Sequence, residues 1–347
     1  MARAIPGLAL AALALALGAC DRPAEVYQRV IPMFGTTGQV EIVARDPQLA
    51  GQALDRIEAL YLELDRDWRS FGAGELGRVN AALESGQRVE LSPRLERLIR
   101  RGLELRSLSD GLLEPRVGTL VSLWGFEDMA RHTPQEPPDE ATITQLRRQT
   151  LQAAELHLEH HSIRSDAPVR LDLNALAEGA ALQAGAMLLH DLGVSDALID
   201  TGGDLLALGR RGTRAWRVGI RNPAAPGVLG TVELEPGEAV ASSGSYEHRF
   251  GASGEHHHIL DPRTGHPAQD SLGATVIARD AELADATATV LIVAGPARFE
   301  EMVRRMGVQH ALLVTTDGRV LATEAMRGRL GWAEHGRGDA TQARQAP

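Results

Sequence analysis

His256–Gly265 reads HHHILDPRTG, and a short way on Ala281–Leu291 reads AELADATATVL. The first stretch carries histidines, an aspartate and an arginine into a loop punctuated by proline and glycine. Between them Ala274–Ala278 has the composition of a buried strand. In the second stretch Asp285 and Thr289 stand four residues apart, which on a helix puts a carboxylate and a hydroxyl on one face, one turn apart. Their neighbours Leu283, Ala284, Ala286, Ala288, Val290 and Leu291 are small or apolar, so the helix is expected to be largely buried. A buried carboxylate without a cation is costly. The chain contains no lysine, and the nearest arginines, Arg279 and Arg298, lie outside the segment. Two hard oxygen ligands in this setting point to a magnesium ion and to chemistry on a phosphate.

Loop, strand and buried helix follow one another here, and the same mixture continues in both directions. Asp46-Pro47 opens a helix with Leu49, Ala53, Ile57, Leu60 and Leu64 at helical spacing, after a strand at Gln39–Ala44. Ser92-Pro93 caps a second helix through Leu95, Leu98, Ile99 and Leu105 that stops near Gly111. Residues 127–139, with Pro134, Pro137 and Pro138, read as a loop between lobes. Leu171–Leu173 and Ala197–Asp200 read as short buried strands around an Ala-rich helix at about 175–191. Strands are expected at Trp216–Ile220, Gly230–Leu234 and Ala239–Ser242, and a hairpin joins Ala311–Thr315 to Arg319–Ala322 through Asp317-Gly318. Helices and strands do not alternate regularly, so the fold class is α+β rather than a doubly wound parallel sheet.

The chain has 347 residues, 44% hydrophobic and 24% charged, as expected of a globular protein. Its net charge of −10 and the absence of a basic run argue against a nucleic-acid partner. Without lysine there is no Schiff-base chemistry and no Walker lysine, and arginine is the only permanent cation. Leu8–Leu17 is an Ala/Leu run preceded by Arg3, too short to span a bilayer, and it ends at Leu17-Gly18-Ala19-Cys20. A sole cysteine behind a small-residue cleavage site resembles a bacterial lipobox. Residues 1–19 are therefore expected to be a signal peptide, Cys20 a lipidated N-terminus and 20–30 a tether. A domain over 31–326 and a polar tail over 327–347 complete the chain. Asp21 resembles an inner-membrane retention signal, which would place the protein on the periplasmic face of the inner membrane.

Other segments carry polar groups with structural alternatives. Gly202-Gly203 in LIDTGGD reads as a tight turn after a strand, and Asp172 in RLDLNALAEG as a buried cap or a ligand contact. Ser243-Gly244-Ser245 is either a plain loop or a backbone cradle for an anion. Adjacent residues of a strand face opposite ways, so His256-His257-His258 cannot all meet one ion, and no zinc-ligand set accompanies them. A solvated run and one ligand-contacting histidine remain. His258, beside Ile259 and the Asp261-Pro262 turn, is the best candidate for proton transfer.

In this order the segments resemble the ApbE family of FAD:protein FMN transferases. The motifs are LWGF at Leu123–Phe126, the LDL-x4-EG segment ending at Glu178-Gly179, GGD at Gly202–Asp204, SG-x-YE at Ser243–Glu247, HI-x-DPRTG at His258–Gly265 and ADAxAT at Ala284–Thr289. The resemblance runs from about Phe34 to Thr323 and implies a two-lobed, T-fold-like structure with FAD in the cleft between lobes. It implies Mg2+ on the Ala175 carbonyl and the Asp285 and Thr289 side chains. FAD contacts are implied for Phe34, Phe71, Glu114, Arg116, Asp172, Glu178, Ser243, Gly244, Ser245, Tyr246 and Ile259. The implied reaction moves FMN from FAD to a Thr or Ser hydroxyl of a periplasm-facing acceptor protein and releases AMP, with His258 and Asp261 as a candidate proton-handling pair and Arg263 as a brace or phosphate partner. An FAD pyrophosphatase and a non-catalytic FAD-binding lipoprotein are the alternatives. Glu114-Pro115-Arg116-Val117-Gly118 departs from the family's Asp-x-Thr-Val-Gly, and Phe34 stands where methionine is usual.

Overall fold

The computed structural model describes residues 23–127, 136–251 and 254–333. The expected signal peptide, Cys20, and most of the expected tail lie outside the described residues. In chain order the strands are β1 (Glu25–Met33), β2 (Thr36–Ala44), β3 (Val89–Glu90), β4 (Leu156–Glu159), β5 (Ser162–Ser165), β6 (Ala197–Asp200), β7 (Leu205–Leu208) and β8 (Trp216–Arg221). They continue with β9 (Val228–Leu234), β10 (Ala239–Gly244), β11 (Arg249–Phe250), β12 (His256–His257), β13 (Ser271–Ala278), β14 (His310–Thr315), β15 (Val320–Ala322) and β16 (Gly331–Trp332). The helices are α1 (Pro47–Trp68), α2 (Glu75–Glu84), α3 (Pro93–Leu108), α4 (Gly118–Leu123), α5 (Glu140–Arg147), α6 (Asn174–Asp191), α7 (Ala281–Ala294), α8 (Phe299–Met306) and α9 (Glu324–Arg329).

Eight strands in the order β1-β2-β6-β7-β10-β13-β14-β15 make one antiparallel sheet. Alternation along its central strands serves two cores. Ala241, Val276 and Leu313 face the larger core beneath α1, α6 and α7, while Val240, Ile277 and Leu312 face a second core. The second core is closed by β8 and β9, whose Trp216, Val218, Val232 and Leu234 alternate inward, and by Met326 of α9. Helix α7 is buried and apolar on nearly all sides, as suits a helix surrounded by protein, whereas α6, likewise apolar, leaves Met187 exposed. Asp46 caps α1 by accepting the Gln48 N–H at 2.8 Å, with Pro47 in the first turn, as the sequence predicts.

Three expectations change. Glu25–Val30, read as tether, belong to β1; this edge strand leaves Val26 and Val30 exposed, so its apolar residues do not mark a buried face, and β2 supplies its pairing in full register. Leu171–Leu173 pair with no strand. The Asn80 amide takes the place of a ladder, accepting the Leu171 N–H at 2.8 Å and donating to the Leu171 carbonyl at 2.9 Å. The expected tail begins too early, because α9 runs to Arg329 and β16 pairs with β9. Leu330, with that strand, belongs to the second core. Asp139, at the end of the expected interlobe loop, caps α5 by accepting the Thr142 N–H at 2.9 Å.

Candidate active site

A cavity of about 340 Å³ opens where the β1–β2 hairpin tip, the end of α1, the start of α6, β10 and α7 converge. This is the size of a small-molecule or cofactor site. Its walls include Phe34, Phe71, Glu114, Asp172, Ala175, Glu178, Ser243, Gly244, His258, Ile259, Asp285 and Thr289. Twelve of the residues singled out from sequence, drawn from segments spread along the chain, therefore meet around one space.

Asp285 and Thr289 share one face of α7, as their spacing requires. The Thr289 hydroxyl lies 3.0 Å from the Ser243 hydroxyl of β10. Asp285 Oδ2 accepts the Gly179 N–H of α6 at 2.9 Å. In a regular helix that N–H belongs to the carbonyl four residues back, Ala175, so the Asp285 contact competes for Ala175's donor. The approach of the two helices depends on Gly179, where a Cβ would sit 2.3 Å from the Ala281 carbonyl oxygen. The Glu-Gly step of the sequence thus brings Glu178 beside Asp285.

Three carboxylates are crowded here. Burial pushes Asp285 up to about 7 against the pull of backbone hydrogen bonds from Gly179 and Glu178. Burial, reinforced by the charge of Asp285, raises Glu178 and Asp204 well above the carboxylate range. Asp204 is buried between β7 and β10 and accepts the Ser242 N–H at 2.9 Å. None of the three has an ion-pair partner among the described residues. A divalent cation held by oxygen ligands is the group such a cluster suits.

The arginines around the cavity are already engaged. Arg116 is buried, does not line the space, and forms a paired hydrogen bond to Glu114 (2.8 and 2.7 Å) and a further bond to the Ala154 carbonyl. Arg106 adds a third contact to Glu114 at 2.6 Å. Burial pushes Glu114 up, yet the two guanidiniums hold its carboxyl below the ordinary range. Glu114 therefore remains at the wall, whereas Arg116 is a strut behind it. Asp261 is likewise turned out of the cavity, with both oxygens taken by Arg263 at 2.8–3.1 Å, and Arg263 reaches the Val293 carbonyl. The expected pairing of Asp261 with His258 is not formed; Asp261 builds the Pro-Arg-Thr-Gly turn. Ser245 and Tyr246 also leave the wall, Ser245 by donating its N–H to the Leu272 carbonyl and Tyr246 by stacking under Arg221 at 4.4 Å.

The histidine run is not solvated. His256 packs on Trp124 and Phe250, and buried His257 lies 2.9 Å from the Ala268 carbonyl through Nε2. His258 reaches the cavity. Burial drives its imidazole down to about 3, so the ring is neutral at physiological pH. A hydrogen bond to the Glu247 backbone engages one ring nitrogen, and Nδ1 is buried without a partner. Trp124 of LWGF fixes the neighbouring turn by donating its indole N–H to the Gly265 carbonyl at 2.8 Å.

Sequence reasoning missed Asp65, Arg69, Asp204, Glu247 and His248, all of which line the cavity. Asp204 carried a signal: a carboxylate directly behind the Gly202-Gly203 turn, whose two N–H groups bind Asp200 Oδ1 at 2.8 Å each. Asp65 carried none, because at its place in α1 it resembles any residue of a solvated helical face.

The sequence profile of the ApbE family matches residues 34–313. A curated FAD:protein FMN transferase of Rhodobacter capsulatus is 38% identical over 335 residues; these are 95% of this chain, which spans 64% of that relative's length. One of Vibrio cholerae is 29% identical over 318 residues, 89% of this chain and 93% of its own. Among solved structures, an ApbE protein of Thermotoga maritima aligns with a TM-score of 0.79 and 25% identity, over 88% of this chain and 99% of its own.

Proposed function

Since the chain belongs to the ApbE family, we propose that it transfers FMN from FAD to a Thr or Ser hydroxyl of an acceptor protein and releases AMP. The observation that carries this reading is the pairing of an uncompensated carboxylate cluster with a cavity whose arginines are all engaged. An FAD diphosphate beside Glu178, Asp204 and Asp285 adds negative charge to a buried carboxylate cluster, and among the described residues the one lining guanidinium, Arg69, is already paired with Asp65. Ala175 through its carbonyl, Asp285 through its carboxylate and Thr289 through its hydroxyl are the groups that would hold Mg2+. When bound, that ion neutralises diphosphate charge and polarises the phosphoryl oxygens.

The chain's own groups supply the rest. The N-terminus of α6, at Asn174–Glu178, lines the cavity with the positive end of its dipole, while the N–H groups of Asn174, Leu176 and Ala177 are held by Asp172 and the Leu173 carbonyl. Phe34 and Phe71 offer apolar ring faces for the planar parts of the dinucleotide. In the reaction the acceptor oxygen bonds to the flavin-side phosphorus, the bond from that phosphorus to the bridging oxygen breaks, and the bridging oxygen departs with AMP. His258, whose neutral imidazole lines the cavity, is the group assigned in this reading to take the hydroxyl proton. The reading includes attachment to the periplasmic face of the inner membrane through a lipid on Cys20.

The test incubates the mature protein with FAD, Mg2+ and a periplasmic acceptor, following AMP release and flavin fluorescence on the denatured acceptor. Labelled acceptor with equimolar AMP is expected. AMP without label would replace the acceptor hydroxyl with water, and neither product would leave only a binding role. Asp285→Ala is expected to lower AMP release at least ~100-fold, in line with loss of a metal-centred electrostatic contribution.

A further inference from the structure

Phe34 and Gly35 are the two-residue tip of the β1–β2 hairpin, since Met33 pairs directly with Thr36. Their φ angles of 49° and 79° place both in the left-handed region. Such loops take Asn, Asp or Gly at the first position, and a bulky aromatic there is strained. Strain of this kind persists where surrounding contacts hold it and the side chain serves a purpose other than folding. The contact here is Asp65, in the last turn of α1, whose Oδ1 accepts the Phe34 N–H at 2.7 Å. The same carboxylate accepts Arg69 Nη2 at 3.0 and 2.8 Å, and the Arg69 guanidinium lies 5.5 Å from the centre of the Phe71 ring. All four residues line the cavity. The chain has only five phenylalanines, so two of them half-exposed at one rim are not incidental packing.

We propose that Asp65 is a positioning residue that holds Phe34 directly, and Phe71 through Arg69, as the two aromatic walls receiving one planar heterocycle of the dinucleotide. The proposal rests on the flavin-transfer reading for the identity of that ligand. One carboxylate thereby couples the hairpin tip to the end of α1, and its loss lets both rings drift while the carboxylate cluster and His258 stay in place. The cost falls on binding and not on the chemical step.

The test measures FAD affinity by quenching of flavin fluorescence, together with KM and kcat for AMP release, on the mature chain and on Asp65→Ala, Asp65→Asn, Phe34→Asn and the Asp65→Ala/Phe34→Asn pair. Asp65→Ala is expected to weaken FAD binding and raise KM about tenfold, with kcat within about twofold. Asp65→Asn keeps an acceptor for the Phe34 N–H and is expected to recover part of that loss, which also decides the matter if the alanine variant does not fold. The double variant is expected to bind no more weakly than the worse single variant, because the two residues act as one unit. Wild-type affinity in Asp65→Ala and Asp65→Asn, a fall in kcat at unchanged KM, or additive losses in the double variant would each overturn the proposal. Titrations with FMN and with AMP identify the ring: a loss confined to FMN puts the isoalloxazine in the slot, one confined to AMP the adenine, and a loss for neither overturns it. A wild-type chain that binds no FAD would instead overturn the flavin-transfer reading.

Discussion

Asp285 concentrates the electrostatic tension of the site. Its carboxyl is held at about 7 by burial, against about 3.9 for an exposed aspartate. Between those values the folded chain keeps a proton that the unfolded chain gives up, so this group's effect is a stability that falls as pH rises and levels off above about 7. A bound divalent cation favours the ionised form and removes that loss. Mg2+ is therefore expected to raise the melting temperature more at pH 8 than at pH 5, by ~3 °C or more at saturation. Asp285→Asn in chelator at pH 8 should melt above the wild type and show no response to Mg2+. Equal Mg2+ responses of wild type and variant in thermal melts would remove Asp285 from the ligand set. His258 and Asp261 show how far residue identity alone reaches. Both sit in one motif, yet only Ile259 and Leu260 separate a cavity-lining imidazole from a carboxylate committed to Arg263.

The crossing of α6 over α7 brings Ala175, Asp285 and Thr289, the proposed Mg2+ ligands, to one wall of the cavity, and two glycines give it opposite tests. A Cβ on Gly179 would meet the Ala281 carbonyl oxygen at 2.3 Å, and backbone there cannot yield without parting the helices. Gly179→Ala is expected to cost about 1–3 kcal/mol and to abolish the Mg2+ response. Gly51, in the interior of α1, has nothing within 4 Å of a Cβ, so Gly51→Ala should gain about 0.5–1 kcal/mol. Urea denaturation midpoints read both, and a stable, Mg2+-responsive Gly179→Ala would refute the close-crossing account. Helices with caps and clear periodicity, such as α1 and α3, follow from sequence because Asp46 and Ser92 accept N–H groups of their own first turns. Edge and satellite strands such as β1, β4 and β5 do not, since their half-buried, polar patterns acquire meaning from partners elsewhere in the chain.

Across the molecule, the eight-stranded sheet separates two cores and brings the ends of α1, α6 and α7 to one cavity. Its edge strand β1 starts at Glu25, five residues after Cys20, so a lipid on that cysteine would tether the sheet edge within about 17 Å of the bilayer. None of the described helices is long and apolar enough to cross a membrane. Attachment would then depend on the lipid, and Cys20→Ala is expected to move the protein from the membrane to the soluble periplasmic fraction while leaving its melting temperature unchanged. A variant that stays in the membrane fraction would rule out the lipid anchor.

The α+β class, the caps of the long helices, and the pairing of Asp285 with Thr289 were legible in the chain because each depends on neighbours within one or two helical turns. The motif order also pointed to the family, as a set of local signatures repeated at long range. Folding settled which members of those motifs meet. It put Asp204, Asp65 and His258 at the cavity, turned Arg116 and Asp261 into supports, and buried His257. Those outcomes hang on contacts between residues tens to more than a hundred positions apart, such as Gly179 with Asp285 and Phe34 with Asp65. Local sequence carries the propensity of a segment, whereas the neighbours of a buried polar group, and hence its charge and its role, are assigned by packing.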